Sequence, residues 1–167
     1  MLFERIFKGL NASKVKYLVV GGIAVNLYGY VRATGDMDII ISFDDKNIQK
    51  FIKAVKKLGL IPRIPVKLEA LAEKEERDRW VEEKNLVVFS VHNPKNGLEL
   101  LDIVLEHDLD FDRLYKKRVI MRLKDLALPL ISIDDLIKMK QQAGRGRDDL
   151  DVEKLKVIKA MHNGKKK

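Results

Sequence analysis

The spacing of apolar residues along this chain alternates between the period of a strand and the period of a helix. Short apolar runs bounded by turn residues predict strands, and apolar residues three or four positions apart predict amphipathic helices. The predicted strands are residues 16–20, 36–42, 86–92, 98–105 and 119–123. The predicted helices are residues 2–12, 23–28, 45–58, 67–84, 110–117, 132–143 and a last helix from about Asp148. This mixture predicts an α/β (α+β) fold in which a mixed β-sheet packs against helices.

Local signals set the limits of several predicted elements. Asp44 or Asp45 is placed to cap the helix that follows the second strand. The turn at 93–97 contains Asn-Gly between two apolar runs, which predicts a hairpin. Pro62 and Pro65 make their segment irregular or an edge of the sheet.

The helix predicted over residues 67–84 is mostly charged, and its apolar residues are sparse. Such a pattern is typical of a solvated helix face. Trp80, the one tryptophan of the chain, is expected to pack in the core rather than to dock a partner.

Length and composition favour one soluble domain. The chain has 167 residues, of which 46% are hydrophobic and 35% are charged. No apolar run is long enough to span a membrane, and Glu4 and Arg5 interrupt the apolar start, so we expect neither a membrane span nor a secretory signal. The lack of cysteine excludes disulfides and thiolate metal sites and favours a cytoplasmic location. We expect one domain over residues 1–163 and a basic, disordered tail over residues 164–167.

The chain carries a net charge of +8, which favours polyanionic partners such as nucleotides or RNA. The tail Lys165-Lys166-Lys167 supplies three of these charges, and the others are mixed with acidic residues along the helices. This mixing favours an ordinary solvated surface over a dedicated nucleic-acid surface. The high lysine and glutamate content is typical of a thermophile.

Two carboxylates stand at the start of the strand predicted over residues 36–42. Strand side chains alternate, so Asp36 and Asp38 share one face, about 7 Å apart along the strand. Two like charges this close repel, and burial increases the cost of ionising each. A divalent cation would offset the repulsion, and oxygen-only ligands suit Mg²⁺ or Mn²⁺.

Asp102 is a third acidic residue in apolar surroundings, within the run 98–105. An ionised aspartate there needs a partner, which is either a buried lysine or arginine or a cation. If this strand lies beside residues 36–42, three carboxylates converge on the arrangement that two-metal phosphoryl chemistry requires.

Gly21-Gly22 lies between a predicted strand and a predicted helix. Glycines allow backbone N–H groups to approach a phosphate, and the start of a helix attracts anions. The pair matches neither the dinucleotide fingerprint nor the P-loop, and alone it would indicate a tight turn. Its position before the two carboxylates makes it a candidate phosphate site.

In their order, these motifs resemble the nucleotidyltransferase superfamily. The first part of the resemblance is Gly21-Gly22-x-Ala24, Tyr28-Gly29 and Arg32-x-Thr34-x-Asp36-x-Asp38 followed by Ile39-Ile40. The second part is Ser132-x-Asp134-Asp135-Leu136-Ile137-x-Met139-Lys140, then Ala143-Gly144-Arg145 and Arg147-Asp148-x-x-Asp151. The likeness covers roughly residues 15–155 and is greatest to small stand-alone prokaryotic members, including those related to abortive-infection and toxin–antitoxin systems.

The resemblance implies a transfer of a nucleoside monophosphate (NMP) from a nucleoside triphosphate (NTP) to a hydroxyl, with Mg-pyrophosphate leaving. Asp36 and Asp38 would bridge two metal ions, and Asp102 would bind the catalytic ion and help activate the acceptor hydroxyl. Gly21 and Gly22 would hold the triphosphate. Many members have Gly-Ser here, and with Gly-Gly the phosphate contact would come from the backbone alone.

Arg32 and Thr34 belong to the same motif. Arg32 would neutralise phosphate or brace the carboxylates, and Thr34 would fix the loop. Both are candidate nucleotide-binding residues.

Lys140 is a candidate nucleotide ligand on independent grounds. On the helix predicted from Ser132, it shares a face with the apolar residues Ile133, Leu136 and Ile137. An ammonium on the core side pairs with a buried carboxylate, extends its tip to solvent, or reaches a phosphate.

The segment that joins the last two predicted helices is open to two interpretations. Arg145, Arg147 and Asp148 either contact the acceptor or belong to the joint, and capping of the last helix is the simpler role for Asp148. His92 and His107 lie next to turns and are interpreted as surface residues.

Three function hypotheses follow. The first is a metal-dependent nucleotidyltransferase, possessing an ATP or other NTP site, whose acceptor is a protein, an RNA 3′ end or a small molecule. The second is a catalytically silent module that binds a nucleotide or a partner, such as a toxin–antitoxin component. The third is an RNA-binding protein, which would show steep salt dependence without a need for Mg²⁺.

Overall fold

The computed structural model describes residues 3–105 and 109–164. Leu2 of the first predicted helix, His107 and the lysines of the predicted tail lie outside the described residues. The α-helices are α1 (Glu4–Ala12), α2 (Gly21–Tyr28), α3 (Asp45–Lys57), α4 (Lys74–Lys84), α5 (Phe111–Lys116), α6 (Ile133–Ala143) and α7 (Asp148–Gly164). The strands are β1 (Tyr17–Val19), β2 (Met37–Ile41), β3 (Ile61–Pro62), β4 (Val88–Asn93), β5 (Asn96–Val104), β6 (Val119–Leu123) and β7 (Leu126–Leu130).

The strands form one mixed sheet in the order β3-β4-β5-β2-β1-β7-β6. At its centre, β2 runs antiparallel to β1 and parallel to β5. The predicted hairpin forms from β4 and β5, which are antiparallel. The segment with two prolines supplies β3 at one edge, where a missing backbone N–H is tolerated. The predicted α/β architecture of a mixed sheet with helices is therefore confirmed.

Several helix ends follow directly from the sequence. Asp44 caps α3 by accepting a hydrogen bond from the backbone N–H of Asn47 at 2.8 Å. Ser132 caps α6 by accepting from the N–H of Asp135 at 3.2 Å. Gly29 ends α2 with φ of 116°, a conformation that glycine adopts without steric cost.

The single helix predicted over residues 67–84 is wrong. Residues Leu68–Ala72 form a 3₁₀ helix, and α4 starts only after Glu73, whose backbone is extended. Trp80 nevertheless packs in the core as predicted. It is 1% exposed and its ring stacks on Phe89, with the centroids 5.3 Å apart.

Strand β7 was not predicted, because Pro129 lies within it and proline cannot donate to a sheet ladder. Ile131 donates its backbone N–H to the oxygen of Val19 on β1, at 3.1 Å. The nitrogen of residue 129, two positions earlier, points in the same direction and away from β6. The ladder between β1 and β7 is restricted to Val19 and Leu130, so the proline removes no bond from the sheet.

The two faces of the sheet have different surroundings. One face carries Phe89, Val91, Leu101 and Ile103, all fully buried, against the layer that contains α1 and α4. The opposite face carries Asp102 and the other even-numbered residues of β5. This second face holds the candidate site. Within the described residues, no helix combines the length and apolar character needed to cross a membrane.

Candidate active site

The three predicted carboxylates meet at one point of the sheet. Asp38 on β2 and Asp102 on β5 are paired in register across parallel strands, and Asp36 lies just before β2. One carboxylate oxygen from each residue lies within 4.8 Å of the other two. The register therefore brings Asp102 beside two residues that precede it by more than sixty positions.

The pKa of Asp38 is strongly perturbed by its surroundings. Burial is the largest cause, and together with the charges of Asp36 and Asp102 it raises the pKa of Asp38 to about 6. A hydrogen bond from the backbone N–H of Gly22 and the charge of Lys140 oppose the rise without cancelling it. The protein alone therefore does not fully compensate the negative charge of this site.

Asp102 is also raised in pKa, first by burial and then by the charge of Asp36. A hydrogen bond from the Ser90 side chain and the charge of Arg63 act in the opposite direction. Its Oδ1 atom is buried and has no hydrogen-bond partner among the described residues. Such an oxygen is expected to receive a proton or a cation.

Neither glycine of the pair has room for a side chain, because side chains of the site lie directly against both. Gly21 has φ of 62°, and a Cβ there would lie 1.8 Å from Oδ2 of Asp38. A Cβ on Gly22 would lie 2.5 Å from Oγ1 of Thr34. The N–H of Gly22 binds the Asp38 carboxylate, so in this structure one of the two groups predicted to hold phosphate is engaged by a carboxylate.

Thr34 and Arg32 have different partners in the loop before β2. Thr34 donates its hydroxyl to Oδ1 of Asp36 at 3.1 Å, which orients that carboxylate. Arg32 contacts Asp151 on α7 instead, donating from Nε and Nη2 at 2.8 Å each. Asn26 holds the backbone of Arg32 by two hydrogen bonds of 2.9 Å. The structure thus ties this loop to both α2 and α7.

Lys140 takes the first of its three predicted alternatives, a buried carboxylate. Its Nζ lies 2.7 Å from Asp148 and 2.8 Å from Asp151. Burial alone would raise the pKa of Asp151, but hydrogen bonds from Arg32 and Lys140 outweigh it and hold that pKa below its usual range. Two cations and two anions therefore form a compensated cluster, the Arg32–Asp151–Lys140–Asp148 network.

Asp148 does not act as the simple helix cap that the sequence favoured. It is the first residue of α7, and its Oδ1 accepts from Lys140. Its Oδ2 accepts from the backbone N–H of Arg145 at 3.2 Å, which closes the α6–α7 joint. The carboxylate thus holds the lysine and the joint together.

A cleft of about 830 Å³ opens over Asp36 and Asp38. Its polar wall contains both glycines of the pair, the loop before β2, Lys140 and the joint residues Arg145 and Arg147. Around β4 and β5 the lining forms an aliphatic wall, which consists of Val87, Val88, Leu100 and Val104, and α6 adds Leu136 and Met139. The cleft therefore combines cationic and backbone donors with apolar surface.

The sequence profile of one protein family, described as nucleotidyltransferases of unknown function (DUF6036), matches residues 1–165. The chain belongs to this nucleotidyltransferase family. No curated protein matches its sequence.

Solved structures with the same fold are also nucleotidyltransferases or resemble them. The lincosamide antibiotic adenylyltransferase LnuA has 20% identity and a TM-score of 0.61, covering 94% of this chain and 96% of its own. ANT(2")-Ia, solved with adenylyl-2"-tobramycin, has 13% identity and a TM-score of 0.57 and covers 99% and 97%. An antigenic nucleotidyltransferase-like protein of Paracoccidioides brasiliensis has 14% identity and a TM-score of 0.56 and covers 91% and 71%. At these identities the likeness shows a shared fold.

Sequence reasoning missed several residues around the site of this nucleotidyltransferase. Asp151 was noticed only as part of a motif, although its three-residue spacing from Asp148 puts both carboxylates on one helical face. That spacing, combined with a core-facing Lys140, was the signal that could have paired them. Asn26 and Ser90 carried no comparable signal, because each acts through the fold and not through a motif.

Proposed function

We propose that this nucleotidyltransferase transfers an NMP from an NTP to an acceptor hydroxyl and releases pyrophosphate. The observation that carries the proposal is the convergence of Asp36, Asp38 and Asp102 with a buried Oδ1 that lacks a partner. Three carboxylates in such a setting are costly for stability unless they bind a cation. The adenylyltransferases that share the fold favour ATP as the first NTP to test.

The donor set fits one or two divalent cations. Asp36, Asp38 and Asp102 offer oxygen atoms only, which suits Mg²⁺ or Mn²⁺ and disfavours zinc. When bound, such ions supply charge stabilisation to a phosphoryl group in transfer. The raised pKa of Asp38 supports the same conclusion, because a cation would favour the ionised form that the protein alone disfavours.

The polar wall of the cleft is the proposed triphosphate site. The start of α2 provides backbone N–H groups at Gly21 and Gly22. Lys140 and Arg32 add positive charge, and Thr34 holds Asp36 in position. Lys140 acts on the triphosphate from its place in the Arg32–Asp151–Lys140–Asp148 network, because it already lines the cleft there.

The proposed reaction balances without a further reactant. The acceptor oxygen forms a bond to the α-phosphorus, and the bond from that phosphorus to the oxygen that bridges to the β-phosphate breaks. The hydroxyl proton passes to the Asp102 carboxylate, and pyrophosphate leaves. Positioning and charge stabilisation by the residues of the cleft lower the barrier.

The test combines ligand-dependent thermal stability with pyrophosphate release. ATP and the other NTPs are expected to raise the melting temperature only when Mg²⁺ or Mn²⁺ is present. Asp36→Asn and Asp102→Asn should lose the shift while remaining folded, and Asp45→Asn, an exposed aspartate at the start of α3, should keep it. Absence of any shift in the wild type would refute the proposal and favour a catalytically silent partner-binding module.

A further inference from the structure

The sheet face that carries the carboxylates continues past them over three strands. Ser90 on β4 is opposite Asp102, so the row that contains Asp38 and Asp102 extends to β4. The next row on the same face is formed by Ile61, His92 and Leu100, which are opposite one another on β3, β4 and β5. We call the face formed by Ile61, Val88, Ser90, His92, Leu98 and Leu100 the β3–β5 platform.

The β3–β5 platform is exposed to solvent, whereas the opposite face of the same strands is buried. Leu98 is 65% exposed and Ile61 is 46% exposed, whereas Phe89 and Leu101 on the other face are fully buried. Leu100 and Val88 belong both to the platform and to the aliphatic wall of the cleft. An apolar surface that starts inside a cleft and continues into solvent is a mark of an interaction site.

The platform lies where an acceptor would have to bind. The protein groups proposed to bind the triphosphate are the start of α2 and Lys140, and they lie to one side of the carboxylates. Strands β4 and β3 lie to the other side. Displacement in line at the α-phosphorus places the attacking oxygen and the leaving pyrophosphate on opposite sides of it. An acceptor hydroxyl therefore approaches across β5 and β4, over the platform.

The chemistry of the platform discriminates between classes of acceptor. Single-stranded RNA is held by several stacking rings and rows of cations, whereas the platform has one ring, that of His92, and none of its six positions is Lys or Arg. A small polyhydroxylated molecule would bind within the polar part of the cleft and would leave the exposed Leu98 and Ile61 uncovered. Aliphatic side chains on an open strand surface match the apolar side chains of another polypeptide.

One charged group indicates which charge the partner carries next to its hydroxyl. Arg63 follows β3 and is exposed, and its backbone N–H donates at 3.0 Å to the oxygen of Ser90, which is opposite Asp102. A segment that placed a hydroxyl at Asp102 would therefore bring a neighbouring side chain within range of this guanidinium. An acidic neighbour is the complementary choice.

We propose, on the basis of the function proposed above, that the acceptor is the hydroxyl of a Ser, Thr or Tyr in a polypeptide that docks on the β3–β5 platform. Apolar residues of this polypeptide cover Leu98 and Ile61, and an acidic residue next to the hydroxyl contacts Arg63. The product is the protein O-NMP ester, with the same bond changes and the same pyrophosphate release as above.

The test offers three defined acceptors together with α-labelled ATP and Mg²⁺. These are a degenerate library of peptides with a central Ser, Thr or Tyr, mixed tRNA, and the aminoglycoside tobramycin. Label is expected in the peptides, with enrichment of Leu, Ile or Val and of Asp or Glu near the hydroxyl. Label in tRNA or tobramycin instead, or no labelled peptide while Mg²⁺-dependent ATP binding persists, would overturn the inference.

Matched surface variants separate docking from folding. Leu98→Glu should lower peptide labelling about tenfold or more and leave the ATP-dependent thermal shift intact, because it places a charge in an apolar contact. Met161→Glu, at 64% exposure on α7, is the control and should label peptides as the wild type does. Arg63→Glu should change the enriched neighbour from acidic to basic. Equal labelling by the Leu98 and Met161 variants would overturn the inference, and loss of the wild-type thermal shift would instead overturn the proposed function on which it rests.

Discussion

The Asp38→Asn substitution should make the metal-free protein more stable at neutral pH while removing the proposed activity. Burial and two neighbouring carboxylates raise the pKa of Asp38 from 3.8 to about 6. A carboxyl whose pKa is higher in the folded state binds more protons there than in the unfolded chain. Its ionisation therefore lowers the free energy of unfolding as the pH rises from about 4 through 6.

The expected size of this effect follows from the shift of the pKa. A rise of roughly two pH units corresponds to about 3 kcal/mol, which is lost in full above pH 6. The asparagine amide keeps an oxygen that accepts from the Gly22 N–H and carries no charge, so the variant escapes this loss. For a chain of this length, about 3 kcal/mol corresponds to a rise in melting temperature of roughly 6–12 °C.

Urea denaturation in EDTA at pH 5 and pH 8 measures the effect. The free energy of unfolding of Asp38→Asn should exceed that of the wild type by distinctly more at pH 8 than at pH 5. Asp45→Asn, which changes an exposed carboxylate at the start of α3, is the control and should change stability by less than about 1 kcal/mol. Parallel curves for wild type and Asp38→Asn across this range would refute the electrostatic reasoning.

Three further substitutions test other parts of the site and core. Gly21→Ala should cost about 1–3 kcal/mol from its positive φ and abolish the Mg²⁺-dependent ATP shift in thermal melts. Gly97→Ala, which lies outside the cleft and has no atom within 4 Å of its Cβ, should do neither. Lys140→Met should cost about 3–5 kcal/mol in urea melts, because it leaves two buried carboxylates without their ammonium. The control Lys138→Met changes an exposed lysine and should be near neutral. Equal costs for the two substitutions would contradict the network. Trp80→Ala should cost about 3–5 kcal/mol in the same melts, and a loss below 1 kcal/mol would contradict its place in the core.

The central sheet was predictable because its strands are short apolar runs between strong turn signals. The position of Asp102 beside Asp38 was predictable for a different reason, since an aspartate inside an apolar strand requires a partner. Strand β7 was not predictable by the same rules. Pro129 is tolerated there because the ladder between β7 and β1 is limited to Val19 and Leu130, and the sequence does not show the length of a ladder. The break at Glu73 was hidden because residues on both sides of it favour helix.

The site was predictable only as far as its motifs extend. The sequence indicated that Lys140 faces the core, and left three partners open. The choice of Asp148 and Asp151 depends on how α7 packs against α6, which no local pattern specifies. The β3–β5 platform was also hidden, because alternation along a strand tells which residues share a face but not whether that face is covered.

The Arg32–Asp151 ion pair joins residues 119 positions apart, and this separation has a consequence for biosynthesis. On the ribosome, the glycine pair and all three aspartates emerge well before α7. Until that helix follows, Arg32 and Lys140 have no counterions and the joint at Arg145 is not closed. A translation product that stopped before residue 148 would thus contain Asp36, Asp38 and Asp102 and still lack Asp148 and Asp151, the carboxylates that hold Lys140 and Arg32 in place. The proposed nucleotide site is therefore complete only after α7 has been made.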